Sequence, residues 1–77
     1  MSVERLVAMA NDIADYFRSE PDPAVGAAGV ATHLRRYWTP RMRRQIFDHV
    51  DAGAGGLSAL ARAGVDRLRE MEAAEAR

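Results

Sequence analysis

Arginines interleaved with aromatic residues carry the recognition chemistry of this chain, in the segment 33–44. The segment holds five of the eleven basic residues, the single tryptophan and one of two tyrosines, and it contains no acidic residue. Arginine presents a planar fork of donors to carboxylates, and tyrosine, tryptophan and arginine are enriched where proteins bind one another. The pattern therefore favours a surface for an acidic partner. The candidate partner-binding residues are Arg36, Tyr37, Trp38, Arg41, Arg43 and Arg44.

Pro40 divides this segment into the end of one helix and the start of the next. Proline does not continue a helix, but it suits the first position after a capping residue such as the preceding threonine. Arg41, Arg43 and Arg44 then lie near a helix N-terminus, where each cation costs about 0.3–1 kcal/mol. An acidic group from outside the chain would offset that cost. The alternative is that these arginines are solvated or paired locally, as Arg44 and Asp48 could be at i, i+4 spacing.

Trp38 has two interpretations. A single tryptophan on the apolar face of a helix is more often part of the core, where it would anchor the turn between two helices. At an interface it would instead be a binding anchor beside the arginines. We expect the core role mainly, so Tyr37, Arg41 and Arg43 are the stronger interface candidates.

Residues that could support catalysis or hold a cofactor lack the necessary spacing. His33 and His49 lie on different predicted helices without further ligands at a standard spacing, which favours hydrogen-bonding or structural roles. The chain has no cysteine, so no thiolate can hold zinc or an iron–sulfur cluster. It also lacks a nucleotide-binding glycine motif and a nucleophile elbow. We expect no catalytic residue, no metal site and no cofactor in this chain.

Length and charge narrow the class of protein. Seventy-seven residues make one domain, 1–77, that is marginal alone because a chain of this size buries only about 60 to 65 per cent of its unfolded surface. The formal net charge of zero removes a barrier to self-association, so the isolated chain could form a homo-oligomer. No secretory signal pattern and no membrane-length apolar stretch is present, which favours a cytoplasmic location without membrane contact.

Apolar residues repeat at helical spacing in four segments, so the sequence predicts an all-α fold, a compact bundle of four short helices. Proline and capping signals place the helices at about 3–19, 23–38, 40–52 and 57–72. Asn11 is expected to face solvent, and Glu72 and Glu75 to lie on a solvated face. The predicted core faces comprise Val3, Leu6, Val7, Ala10, Ile13, Ala14 and Phe17; Ala27, Val30, Leu34, Tyr37 and Trp38; Met42, Ile46 and Val50; and Leu57, Leu60, Ala61, Gly64, Leu68 and Met71.

Gly26 and Gly29 lie inside the second predicted helix, where each costs about 1 kcal/mol relative to alanine. They indicate either a weak first turn stabilised by tertiary packing, which we prefer slightly, or the close approach of another backbone.

Three segments occur in an order typical of one family. They read His-x-Arg-x-Tyr-Trp-x-Pro-Arg-Met-Arg at 33–43, Met-Ala-Asn-Asp-Ile at 9–13 and Gly-Gly-Leu at 55–57. Together they resemble the signature, the N-terminal helix and the start of the last helix in the delta subunit of bacterial NAD-dependent, molybdenum-containing formate dehydrogenase. The likeness covers most of the chain. It departs at 58–59, where serine and alanine stand in place of the acid and proline expected at the cap of the last helix.

The resemblance implies an accessory, non-catalytic subunit of a cytoplasmic complex that oxidises formate and passes the electrons to NAD. In that family the larger subunits are the partners, and they hold the molybdopterin guanine dinucleotide cofactor, the iron–sulfur clusters and the flavin. The delta subunit is thought to support assembly or stability. The residues also allow an alternative, a small helix-turn-helix-like nucleic-acid-binding module. Zero net charge and two acids on the arginine-bearing helix, Asp48 and Asp51, count against it.

Overall fold

A computed structural model describes residues 2–76, which form four α-helices: α1 (Val3–Phe17), α2 (Pro23–Tyr37), α3 (Pro40–Asp51) and α4 (Ala59–Glu75). No strand occurs in this part of the chain. The predicted all-α bundle of four helices is therefore confirmed. Met1 and Arg77, the ends of the predicted domain 1–77, lie outside the described residues.

Each helix begins at a side chain that accepts a hydrogen bond from a backbone amide in the first turn, which satisfies a donor that the helix itself leaves unpaired. The cap and donor pairs are Ser2 with Arg5, Asp22 with Ala24, Thr39 with Met42, and Ser58 with Ala61. Proline follows the cap in α2 and α3, as predicted. In α4 the cap is a serine where the resemblance led us to expect an acid, and a serine hydroxyl serves equally well.

The helix ends differ from the predicted ones by one to three residues. The first three helices end at Phe17, Tyr37 and Asp51, earlier than predicted. Trp38 is extended, with φ −88° and ψ 141°, because the following residues must form the cap and the proline start of α3. The last helix runs 59–75 rather than 57–72, and its final turns are held by the ion pairs described below.

The helix α2 packs most extensively against α4 and also contacts α1, while α3 packs against α1 and α4. Gly64 allows the close contact between α2 and α4, since a Cβ there would lie 2.3 Å from Val30 Cγ1. The core cluster includes Val65 and Ala31, which the predicted faces omitted, and excludes Tyr37, which they included. Its buried members are Leu6, Ala10, Ala14, Val30, Ala31, Leu34, Trp38, Ile46, Val50, Ala54, Ala61, Val65 and Leu68.

The glycine-rich link between α3 and α4 is an ordered turn. Gly53 ends α3 in a left-handed conformation (φ 122°), and the amide of the next residue, Ala54, donates to the His49 carbonyl at 2.9 Å. This is a Schellman-type ending, and it confirms Gly53 as the terminator. The buried side chain of Ala54 attaches the link to the core even though this residue also has a positive φ, 59°.

Asn11 attaches α1 to the same link. Its side-chain amide donates to the Gly56 carbonyl at 2.9 Å, and its side-chain oxygen accepts from the Ser58 amide at 2.9 Å. Asn11 lies outside the buried core cluster, but its side chain is bound to the link and is not left to solvent alone. The first of these bonds joins the segments 9–13 and 55–57, two of the three on which the family resemblance depends.

Candidate docking surface

The chain turns sharply between α2 and α3, and the two aromatic residues at this turn point in opposite directions. Trp38 is 4 % exposed and belongs to the core, which confirms the interpretation that we preferred. Tyr37 is 65 % exposed. As a partner-binding residue Trp38 would offer almost no area, because its indole is buried, whereas Tyr37 offers most of its ring.

Arg43 points inward and binds groups of its own molecule. Its Nε lies 2.7 Å from Glu72 Oε1, and its Nη1 donates to the carbonyl oxygens of Trp38 at 2.5 Å and Arg35 at 3.4 Å. Nε and Oε1 are both shielded from solvent but are not aligned for a hydrogen bond, so an ion pair describes their contact. With a side chain 16 % exposed and its nitrogen atoms engaged within the chain, Arg43 leaves little surface free for a partner.

The position of Arg43 also changes the electrostatic argument made from the sequence. Arg43 lies near the unfavourable N-terminus of α3, but its guanidinium reaches carbonyl groups at the C-terminal end of α2. That end of a helix dipole is negative and attracts a cation. The charge of Arg43 is thus compensated within the fold by α2 and by Glu72, and it needs no external acid.

Arg35 is neutralised in a similar way by the last turn of α4. Its guanidinium donates to the carboxylate of Glu75 in a close ion pair. Glu72 and Glu75 therefore contact the corner between α2 and α3, and the predicted solvated face holds for Glu75, which is exposed, but not for Glu72, which is half-buried. The last turn of α4 is held to this corner by two ion pairs.

Three other arginines of the segment remain available. Arg36, Arg41 and Arg44 are exposed, and none forms an ion pair with a carboxylate of residues 2–76. The local pair considered for Arg44 and Asp48 does not form. The guanidinium of Arg36 lies 5.9 Å from the centre of the Tyr37 ring, a cation–π distance.

This concentration of unpaired arginines is specific to the corner. Within residues 2–76, the one other arginine without an ion pair is Arg5, in the first turns of α1. The arginines that have acidic partners are Arg18, Arg35, Arg43, Arg62, Arg67 and Arg69. We call the exposed set of Arg36, Tyr37, Arg41 and Arg44 the basic corner.

An aromatic cleft, which the sequence did not reveal, adjoins the basic corner. It lies between α1 and α2, has a volume of about 590 Å³, and is open to solvent. Its lining residues are Asp12, Ile13, Tyr16, Phe17, His33 and Tyr37. A shallow hollow of about 560 Å³ extends it along α2 past Val25, Gly29 and Arg36. Tyr16 was the available signal, because this large ring flanks the predicted apolar face of α1 instead of lying in it.

The two histidines make structural contacts. His49 Nε2 lies 2.6 Å from the Gly55 carbonyl oxygen, to which it donates, and so it helps to hold the link between α3 and α4. The His33 ring packs against Tyr37 with their centres 4.7 Å apart. Among residues 2–76, no group of three or more histidine or acidic side chains is placed to hold a metal ion. Nor does any helix in that range have the length and apolar character needed to cross a bilayer.

At the C-terminal end of α3, Asp51 forms an ion pair with Arg69 of α4. The guanidinium of Arg69 donates two hydrogen bonds to the Asp51 carboxylate, at 2.8 and 3.1 Å. These bonds hold the pKa of Asp51 below its usual value. Arg69 also lies 4.9 Å from the centre of the Phe47 ring. This arginine is therefore committed to the fold, unlike those of the basic corner.

Comparison with known proteins places the chain in a family. Residues 5–65 match the family described as NADH-dependent formate dehydrogenase delta subunit, FdsD. The matched span includes the basic corner, the aromatic cleft and the link held by Asn11. Comparisons with curated proteins and with solved structures give no match. Since the family match covers well over half of the residues, the chain belongs to the delta subunits of NADH-dependent formate dehydrogenase.

Proposed function

We propose that this chain is a non-catalytic accessory subunit of a cytoplasmic NAD-dependent formate dehydrogenase complex, where it supports assembly or stability. Its partners are the larger subunits, and it docks on one of them through the basic corner. The observation that carries this proposal is the unpaired charge of Arg36, Arg41 and Arg44, beside two arginines that the chain neutralises itself.

Two features support docking as the role of the corner. The exposed ring of Tyr37 beside Arg36 combines apolar area with positive charge, a pairing found at the energetic centres of interfaces. Unpaired surface charge also increases the rate at which an oppositely charged partner is met and fixes its orientation. A non-catalytic role is supported by the histidines, because each is already engaged, with a backbone carbonyl or with an aromatic ring.

The test is purification of the complex from its native host through a tag on this chain. We expect larger formate dehydrogenase subunits to co-elute. The variant Arg41→Glu with Arg44→Glu should recover at least several-fold less of them, because an acidic partner would be repelled. The variant should still fold, since glutamate is favourable near the start of α3.

The matched control is Arg5→Glu with Arg18→Glu, which changes the net charge equally on exposed positions of α1 and its C-terminal cap. This control should recover the larger subunits at the wild-type level. Equal recovery by both double variants would contradict docking through the corner. A wild-type chain that brings down no dehydrogenase subunit would contradict the accessory role itself.

A further inference from the structure

The large apolar side chains that this chain leaves exposed are gathered in one place. Tyr16 is 79 % exposed, Tyr37 65 % and Val25 52 %, and no other large hydrophobic residue in 2–76 is as open to solvent. All three line the aromatic cleft or the hollow that continues it along α2. Single exposed apolar residues are common on protein surfaces, but a contiguous group of them marks a site of interaction.

Two rings of the cleft contact each other, and one of them packs on α2. Tyr16 packs edge-on against Phe17, with centres 5.1 Å apart and an angle of 86° between the rings. Phe17 in turn lies over Gly29, where a Cβ would come within 2.4 Å of its Cε1. A preformed site loses little conformational entropy on binding, so the apolar contact contributes more fully to affinity.

Charge is distributed unevenly around the cleft. Asp12 and Glu20 lie on the α1 side, and Arg36 lies at the C-terminal end of α2 beside Tyr37. Arg36 has no carboxylate partner in the described part of the chain, and it is continuous with the rest of the basic corner. A partner that places its acidic groups near the C-terminal end of α2 therefore matches this arrangement.

We propose that the aromatic cleft receives a bulky apolar side chain carried by an acidic segment of a larger subunit, whose carboxylates lie against Arg36. This inference rests on the proposed function and specifies the partner's chemistry. Tyr37 lines the cleft, Arg36 lines the hollow that continues it, and both belong to the basic corner, so one segment can engage both surfaces. A second copy of this chain is the competing occupant, since it would bring its own arginines but also Asp12 and Glu20 to the contact, and the cross-linking below distinguishes it from a larger subunit.

Recovery of the tagged complex tests the apolar part of this inference. Tyr16→Ser with Tyr37→Ser removes the two exposed rings, and we expect at least tenfold lower recovery of the larger subunits. Because both rings are mainly exposed, the isolated double variant should melt at the same temperature as the wild type. Recovery equal to the wild type would overturn the cleft proposal and leave the proposed function standing, whereas a wild-type chain without dehydrogenase subunits would refute the proposed function.

Two further variants test the charge part. Arg36→Glu should lower recovery several-fold, while Arg5→Glu, an equal change at the other unpaired arginine, should not. Equal effects of the two would overturn the role of Arg36. Photo-cross-linking from p-benzoyl-phenylalanine at position 16, with position 67 on α4 as the control, identifies the occupant by mass spectrometry of the joined peptides.

We expect the cross-link from position 16 to map to a larger subunit, at a bulky apolar residue flanked by aspartate or glutamate. A cross-link to a second copy of this chain, or to a basic stretch, would overturn the proposal. The same peptide recovered from position 67 would also overturn it, because the contact would then not be specific to the cleft.

Discussion

The corner between α2 and α3 has an inner half and an outer half that are built from the same residue types. In the inner half, Arg43 and Trp38 are buried or nearly so, and the arginine binds Glu72 and two backbone carbonyls. In the outer half, Arg44 and Tyr37 are exposed, and the arginine has no acidic partner in residues 2–76. Residues adjacent in the chain thus have different surroundings: the inner half is engaged within the fold, and the outer half leaves its charge and its aromatic ring open to solvent.

The difference shows why composition alone could not separate structure from function here. An arginine–aromatic segment favours an interface, yet Arg35 and Arg43 of this segment form ion pairs with carboxylates of α4. Substitutions at adjacent positions test this division, because each inward residue has an outward neighbour as its control.

The largest expected difference is between Trp38→Ala and Tyr37→Ala. Removing the buried indole creates a cavity beneath the turn and should lower the free energy of unfolding by about 3–5 kcal/mol. That is a large part of the total for a domain of this size, on the order of 4–12 kcal/mol. Tyr37→Ala should change it by no more than about 0.5 kcal/mol. Urea titration followed by helical circular dichroism measures both, and similar losses would contradict the division.

The next comparison is between Arg43→Met and Arg44→Met. Methionine keeps an apolar stem in place of the inward arginine but leaves Glu72 without its counter-charge and two carbonyls without their donor, at a cost of about 1–3 kcal/mol. The outward substitution should stay within about 0.5 kcal/mol.

Adding Glu72→Leu to the Arg43→Met variant separates the ion pair from the rest of the site. Removing both charges eliminates the unpaired carboxylate, so the double variant should be more stable than Arg43→Met alone. A double variant less stable than Arg43→Met would show that Glu72 contributes through other contacts.

The local features of this fold, such as the starts of helices, could be predicted from residues that are close together in the sequence. Thr39 with Pro40, and Asp22 with Pro23, specify helix starts through short-range geometry, and the structure has both. The apolar periodicity of α1 likewise identified the residues that it buries. Such signals act within one or two helical turns. Over that range, the spacing of residues in the sequence determines the side of the helix on which each side chain lies.

The features that the sequence did not predict depend on how the helices are aligned with one another. The pairing of Arg43 with Glu72 joins residues 29 positions apart, and it exists because the last turn of α4 reaches the C-terminal end of α2. Tyr37 has the spacing of a core residue, but its ring lies on the open side of α1 and α2, in the aromatic cleft. Periodicity shows that a helix has an apolar face and does not show how much of that face a neighbour covers.

Asn11 and Asp12 extend the comparison of adjacent residues to α1. Asn11→Ala removes two hydrogen bonds to the link between α3 and α4, and we expect a loss of about 1 kcal/mol in the free energy of unfolding. Amide hydrogen exchange should also become faster at Ser58, whose amide donates to Asn11. Asp12→Ala, at an exposed position, should leave both quantities unchanged, and equal exchange rates at Ser58 in the two variants would contradict the role of Asn11.

The smallest expected effect is the difference in stability between alanine substitutions at two glycines of α2. A Cβ at Gly26 would meet its neighbours at 3.5 Å or more, so Gly26→Ala fits and should raise the free energy of unfolding by up to about 1 kcal/mol through helix propensity. The same substitution at Gly29 forces the Phe17 ring to move, because the new Cβ would lie 2.4 Å from it. Gly29→Ala should therefore gain less stability than Gly26→Ala, or lose some, and it should also alter the wall of the aromatic cleft.

Thermal unfolding ranks the two variants, and recovery of the larger subunits shows whether the shape of the cleft matters to docking. Equal stability and equal recovery would mean that the cleft adapts to its occupant instead of being preformed.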